Sequence, residues 1–206
     1  MNSGGAASYA GLVTLGSASS IVGGSGTIAL TNASTISGAT FGLTLGGAQG
    51  GSITSIIGTT TGTVTKQDAG TWTLSGANTY TGATTISGGT LRLGNAAALG
   101  TAAGGVTVAD GAALDLNGQN VSGAEALTLN GTGMSAAGAL TNSSGTAATY
   151  AGAVTLGSIT SIGSTTGAIT ISGAITSSTH GLALIGNRAI TLSSTSNALV
   201  TIATGS

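Results

Sequence analysis

Residues 70–94 read GTWTLSGANTYTGATTISGGTLRLG. Three short runs in this stretch, Thr71 to Leu74, Ala83 to Ile86 and Thr90 to Leu93, are rich in threonine, isoleucine and other strand-forming residues. Between them stand Gly76, Asn78, Gly82, Gly88 and Gly89, residue types that supply tight-turn or left-handed backbone. Strands this short have no stability alone and need neighbours, so the rhythm of strand and corner predicts a sheet that coils.

The same texture runs along the chain. LVTL at 12–15, TIAL at 27–30, GLTL at 42–45, LRL at 91–93, VTV at 106–108 and LDL at 114–116 alternate apolar residues with small, polar or charged ones. Period-two alternation puts one side of each strand in a core and the other in water. It places Leu91 and Leu93 inside with Arg92 outside, and Leu114 and Leu116 inside with Asp115 outside. Strand centres are expected near Thr14, Ala29, Thr44, Val64, Thr73, Thr85, Arg92, Thr107, Asp115, Thr128, Thr155, Thr170, Ala183 and Thr191. A helical reading fails because interior glycine costs about 0.5–1 kcal/mol per site and β-branched residues add to that. NAAALG at 95–100 is the exception, a helical turn or a corner.

Composition narrows the class. Only 3% of the 206 residues are charged and 2% aromatic, but 40% are hydrophobic, which argues for order rather than a solvated linker. The 39 glycines come with no proline, which excludes collagen, and with no cysteine, which excludes disulfide staples. No apolar run approaches the roughly 20 residues of a membrane helix, so no direct membrane insertion is expected. Met1 is followed by NSGGAASYAG, without the basic start and apolar core of a signal peptide, and the expectation is a fragment of a longer exported chain.

The chain also copies itself. YAGLVTLGS at 9–17 returns 141 residues later as YAGAVTLGS at 150–158, GTIAL at 26–30 returns as GAITI at 167–171, and GLTL at 42–45 meets GLAL at 181–184 after a slip of two. A period this long exceeds a single solenoid repeat and reads as a super-repeat of several coils. The expected organisation is one continuous solenoid over 1–206, with 142–206 a partial restart of the unit that begins near residue 2.

The residues of 70–94 resemble the autotransporter-associated β-strand repeat, found in the passenger regions of Gram-negative surface and secreted proteins. A looser continuation, AALGTAAGGVTVADGAALDLNGQNVSG at 97–123, extends the likeness over 70–123, with Ala83 where the family often has glycine. With the strand pattern, the fold class is all-β, a single-stranded parallel β-helix (β-solenoid); the resemblance implies right-handed coiling. It also implies type V secretion and an extracellular or cell-surface location, anchored to the outer membrane through a region not in this chain.

Chemistry is sparse. The single histidine, His180, sits in SSTHGLAL and is expected at a corner before a strand. Asp110 with Asp115, or Glu125 with either, is the candidate carboxylate pair, and each is read as an ordinary exposed charge. Asp68, Asp110 and Asp115 are too few for calcium of the repeat type, and Lys66, Arg92 and Arg188 cannot form a nucleic-acid stripe. No catalytic, metal, cofactor-binding or ligand-binding residue is assigned, and no cofactor is expected. Asn32, Asn78, Asn95, Asn117 and Asn142 are read as corner residues that could stack into ladders. The glycosylation triplets at Asn32, Asn120, Asn130 and Asn142 are given no role, and Trp72 and Tyr80 are read as packing rather than as a carbohydrate-stacking pair.

The function expected is a non-enzymatic, adhesin-like scaffold segment whose partners are adjoining solenoid repeats and a host-cell, sister-cell or matrix surface, with self-association of exposed ends. One alternative is a threonine-faced ice- or surface-binding solenoid, suggested by TVT at 63–65, TWT at 71–73 and TYT at 79–81. The other is a polysaccharide-acting β-helix enzyme, which needs Asp110, Asp115, Glu125 and Arg92 gathered on one exposed face.

Overall fold

In a computed structural model the chain winds as an all-β parallel solenoid of about nine turns. Residues 4–123, 125–177, 179–193 and 199–202 are described, so the expected span of 1–206 runs beyond them at both ends. Each turn visits three faces in the order one, two, three. Face one stacks Ser19–Val22, Leu43–Gly46, Val64–Lys66, Thr84–Ile86, Val106–Val108, Leu127–Gly131, the first part of Val154–Ser164, and Ile175–Thr176. Face two stacks Ala7–Tyr9, Ile28–Leu30, Gly50–Ile53, Thr71–Leu74, Thr90–Leu93, Ala113–Asp115, Leu140–Thr141, the end of Val154–Ser164, Gly181–Gly186 and Leu199–Ile202. Face three is more broken: Thr35–Ile36 pairs with Ile56–Ile57, and Asn120–Val121, Ala148–Tyr150, Ile169–Ile171 and Ile190–Leu192 form a second ladder. Between those ladders Thr79 N–H donates to Ile57 O and Thr101 N–H to Tyr80 O, so the corners carry the stacking where strands lapse.

Strand alternation builds the core as columns. Leu43, Val64, Thr84, Val106, Leu127, Val154 and Ile175 lie above one another on face one, and Trp72, Leu91, Leu114, Leu140 and Ile162 on face two, all buried. Residues between them face outward. On face one that outer column is Ser20, Thr44, Thr65, Thr85, Thr107, Thr128, Thr155 and Thr176, a threonine in register on seven successive turns. The segment at 95–100 is a corner: Ala98 N–H bonds Asn95 O and Gly100 N–H bonds Ala97 O.

Trp72, the only tryptophan, shows how the narrow core admits one large ring. Its register partner on the turn below is Gly51, where an added Cβ would lie 2.9 Å from the indole and 2.1 Å from Ile28 O. The indole N–H donates to Gly46 O at 3.0 Å, so the ring is fully buried with its polar atom bonded. Tyr80, also fully buried, pairs its hydroxyl with Thr84 Oγ1 at 2.7 Å. The packing reading of these two aromatics therefore holds.

Replacing Gly51 by valine should force the turn or the indole aside and cost about 1–3 kcal/mol. The measurement is the urea midpoint followed by Trp72 emission; an unchanged midpoint would show that the indole does not depend on the space above Gly51.

Candidate functional site

Polar side chains gather in three clusters, and most of their bonds join one turn to the next. The first is a lysine inside the solenoid. Lys66 occupies the core column between Leu45 below and Ile86 above, because the alternation of Val64, Thr65 and Lys66 turns it inward with Val64. Its Nζ donates to Gln67 O and Asp68 O at 2.7 Å in its own corner, and to Gly88 O at 2.8 Å in the following turn. Asp68, at φ +61°, ties the same corner to the turn below by accepting from Gly47 N–H at 2.8 Å. Gly89, at φ +64°, completes the cradle: a Cβ there would lie 2.6 Å from Nζ. Burial lowers the Lys66 amine to about 8, against a smaller opposing pull from Asp68.

The second cluster sits on the outside of face two. Arg92 and Asp115 are register partners on successive turns, and Arg92 Nε donates to Asp115 Oδ2 at 2.8 Å. Period-two reasoning placed Asp115 in solvent; here the structure corrects it. The side chain does leave the outer surface of its strand, but Ser143 of the next turn closes over it, donating from N–H at 2.9 Å and from Oγ at 2.6 Å. Asn117 N–H supplies another bond at 3.0 Å, and Asp115 is 1% exposed. Arg92 stays 40% exposed and borders two shallow hollows, one of about 220 Å³ toward Met134, Ser143 and Thr166, the other of about 300 Å³ toward Gln49, Ser52 and Thr73. They offer hydroxyls, the Asn142 and Gln49 amides, the clamped Asp115 carboxylate and one guanidinium.

The third cluster surrounds Glu125, which is buried. Gly123 leaves it room, since a Cβ there would lie 2.5 Å from both carboxylate oxygens. Oε2 finds no hydrogen-bond partner among the described residues, while the main-chain oxygen of Glu125 accepts from the Tyr150 hydroxyl at 2.8 Å. Burial chiefly, with the Glu125 charge adding to it, pushes the Tyr80 and Tyr150 hydroxyls above the usual tyrosine range; the Thr84 hydrogen bond works against this at Tyr80.

These positions decide what the expected candidates can do. Asp110 is exposed at a corner beside Gly131, Asp115 is clamped under Ser143, and Glu125 is inside. Among the described residues no hydrogen bond joins any two of these carboxylates, and no group of three or more metal-ligating side chains forms. His180 is half-buried at a corner, its Nδ1 3.2 Å from Leu156 O and its N–H donating to Ser177 Oγ. Arg188 is exposed and bonds Ser164 O through its backbone N–H.

The asparagines bond turn to turn rather than to one another. Asn32 Nδ2 reaches Ala10 O, Asn78 takes Ile57 N–H and gives to Ala98 O, Asn117 gives to Leu93 O, and Asn142 takes Gly118 N–H and gives to Ala168 O. Asn95 caps its own corner at Ala97 N–H, and Asn130 Nδ2 donates to Val108 O. Only Asn117 among them has a left-handed backbone, at φ +47°. The amide side chain, able to give and accept at once, bonds main-chain groups of adjacent turns, and among the described residues no asparagine side chain bonds another. Lys66 and Glu125 were not expected inside. The VTK alternation carried the signal for the lysine, and Glu125 stands in step with the inward-facing Leu127 and Leu129 of the strand it leads into.

The family model for the passenger-associated-transport-repeat matches residues 64–93. That span starts at the strand of Lys66 and ends at Leu93, covering nearly all of 70–94. No curated protein and no solved structure matches the chain.

Two outcomes follow from this chemistry. Lys66→Met leaves three carbonyls without their donor and should cost about 1–3 kcal/mol at pH 7. A lysine whose folded value lies near 8 and whose unfolded value is 10.5 is less stabilising charged than neutral, and that difference is recovered as pH rises through the interval. Tyr80 and Tyr150 act oppositely above about pH 10, since their ionisation favours the unfolded chain. The wild-type midpoint should therefore gain on that of Lys66→Met between pH 8 and 10; parallel pH profiles would refute the assignment. Separately, Asp115→Ala should cost about 2–4 kcal/mol and Arg92→Ala less than about 1 kcal/mol, because the carboxylate is buried under four donors and the guanidinium is half in water. Equal losses in urea titrations would contradict that ranking.

Proposed function

We propose that the chain is a structural passenger segment of a large, repetitive, adhesin-like bacterial autotransporter, exported to the cell surface or beyond and serving as an elongated scaffold. The observation that carries this reading is the passenger-associated-transport-repeat match at 64–93, falling on turns whose polar side chains hold one turn on the next. A core spent on stacking suits extension rather than turnover. Its partners on this reading are adjoining solenoid repeats end to end and, along the sides, a host-cell, sister-cell or matrix surface. No helix of the described residues is long and apolar enough to cross a membrane.

A second reading draws support from the outer column of face one. The three Thr-x-Thr triplets fall on different faces: Thr63 and Thr65 on face one, Thr71 and Thr73 on face two, Thr79 and Thr81 at the face-three corner. The in-register array is instead the single threonine of each turn from Thr44 to Thr176, with the flanking positions Ala83, Gly105, Ala126, Ala153 and Ala174 small. A repeat of about 4.8 Å along an uncharged column suits an ordered surface such as ice.

The two readings separate experimentally. Fused between a signal peptide and an outer-membrane translocator barrel, the full chain should become protease-accessible on intact cells, and Gly89→Val, which closes the Lys66 cradle, should lower display several-fold; retention inside while a control passenger is displayed would sink the scaffold reading. Purified chain showing thermal hysteresis that disappears in the pair Thr107→Lys and Thr128→Lys would establish the surface-binding reading, and zero hysteresis would end it.

A further inference from the structure

Residues 4–17, GGAASYAGLVTLGS, and residues 145–158, GTAATYAGAVTLGS, differ at three positions. Both copies carry the next turn in the same register. Tyr9 pairs with Leu30 as Tyr150 pairs with Ile171, Thr14 bridges Ser37 as Thr155 pairs with Thr176, and Ile21 pairs with Leu45 as Ile162 pairs with Leu184. The faces, however, have moved on by one. Ala7–Tyr9 lies on face two and Ala148–Tyr150 on face three, six turns and one face later; Ser19–Val22 lies on face one and its counterpart, in the second part of Val154–Ser164, on face two.

What lies beneath the two copies is different. The second rests on the turn at 119–142: Tyr150 on Val121, Val154 on Leu127, Ile162 on Leu140, with Thr149 N–H bonded to Gln119 O and the Tyr150 hydroxyl to Glu125 O. The first copy has no turn beneath it among the described residues. Tyr9 is 52% exposed where Tyr150 is 0%, Ala7 is exposed where Ala148 is buried, and Val13 and Ile21 are half-buried where Val154 and Ile162 are buried. The Tyr9 hydroxyl reaches only its own corner, Leu12 O at 3.5 Å.

We propose that the edge formed by Ala7–Tyr9, Val13 and Ile21 is a docking site for one kind of occupant, a solenoid turn built like residues 119–142 of this same unit. Such a turn sets valine under Tyr9, leucine under Val13 and leucine under Ile21, and offers the Tyr9 hydroxyl the main-chain oxygen that Glu125 offers Tyr150. Units joined at this edge continue the solenoid and advance its faces by one at each junction. The inference rests on the repeat and the strand register alone, so it stands or falls apart from export and from any surface ligand.

The test joins a second copy of residues 64–143 ahead of residue 3 of the full chain, which recreates the natural junction between 143 and 144. The three tyrosines, Tyr9, Tyr80 and Tyr150, are nitrated with tetranitromethane and each site is read by mass spectrometry. In the unextended chain Tyr9 alone should react readily. In the extended chain its modification should fall at least ten-fold, to the level of Tyr150, and the fall should vanish when the added copies of Leu127 and Leu140 are both changed to aspartate. A shorter extension, 112–143, provides the same readout if the longer one aggregates. Tyr9 remaining reactive in an extended chain whose Trp72 emission reports a folded core would overturn the proposal. So would equal protection of Tyr9 in the unextended chain on raising its concentration, which would assign the edge to the far end of a second copy.

Discussion

Everything in this molecule depends on the main-chain hydrogen bonds that run from each turn to the turns above and below it. A strand of two to four residues cannot satisfy its own donors and acceptors, so each must lie within about 4.8 Å of a neighbour in register. That fixes the shape of the core, a tube one side chain deep, and explains why it is filled by valine, leucine and isoleucine columns and why its one indole needs a glycine beneath. It also explains how so few charges suffice. Solubility is left to threonine, serine and asparagine, and these same groups bond carbonyls and amides where the corners interrupt the ladders.

Where the strands lapse, polar side chains take over the ladder's work. Lys66 bonds three carbonyls across two turns, Asp68 reaches the turn below, and Asp115 collects Arg92, Asn117 and Ser143 from three turns. The family match at 64–93 includes Lys66, Asp68 and Arg92, each of which bonds a neighbouring turn. A buried amine held by neutral carbonyls is an uncommon choice for a core and is consistent only because all three of its protons have acceptors.

The core alternation was legible from local pattern: Leu91, Leu93, Leu114 and Leu116 are inside, and the packed roles of Trp72, Tyr80 and His180 follow from their surroundings. Three kinds of feature were not. Gly50–Ile53 carries too little β-forming character to register, and Thr35–Ile36 and Ile56–Ile57, though β-branched throughout, are too short to show a period; all three become strands because a neighbour supplies the pairing. Asp115 was misplaced because alternation reports which way a side chain leaves its strand, not what a loop 28 residues later lays over it. The threonine column was visible only as isolated strand centres; turns of unequal length hide a register that the stacking makes plain.

The direction of the hydrogen bonds has a mechanical meaning. They lie along the axis, so tension between the ends opens one turn at a time, like a zipper, instead of shearing a whole sheet at once. A turn of about 20 residues takes up about 4.8 Å of axis while folded and releases roughly 70 Å of chain when it opens. Such a rod yields in small, repeated steps and can rewind on the turn that remains, which makes it an extensible tether as much as a spacer.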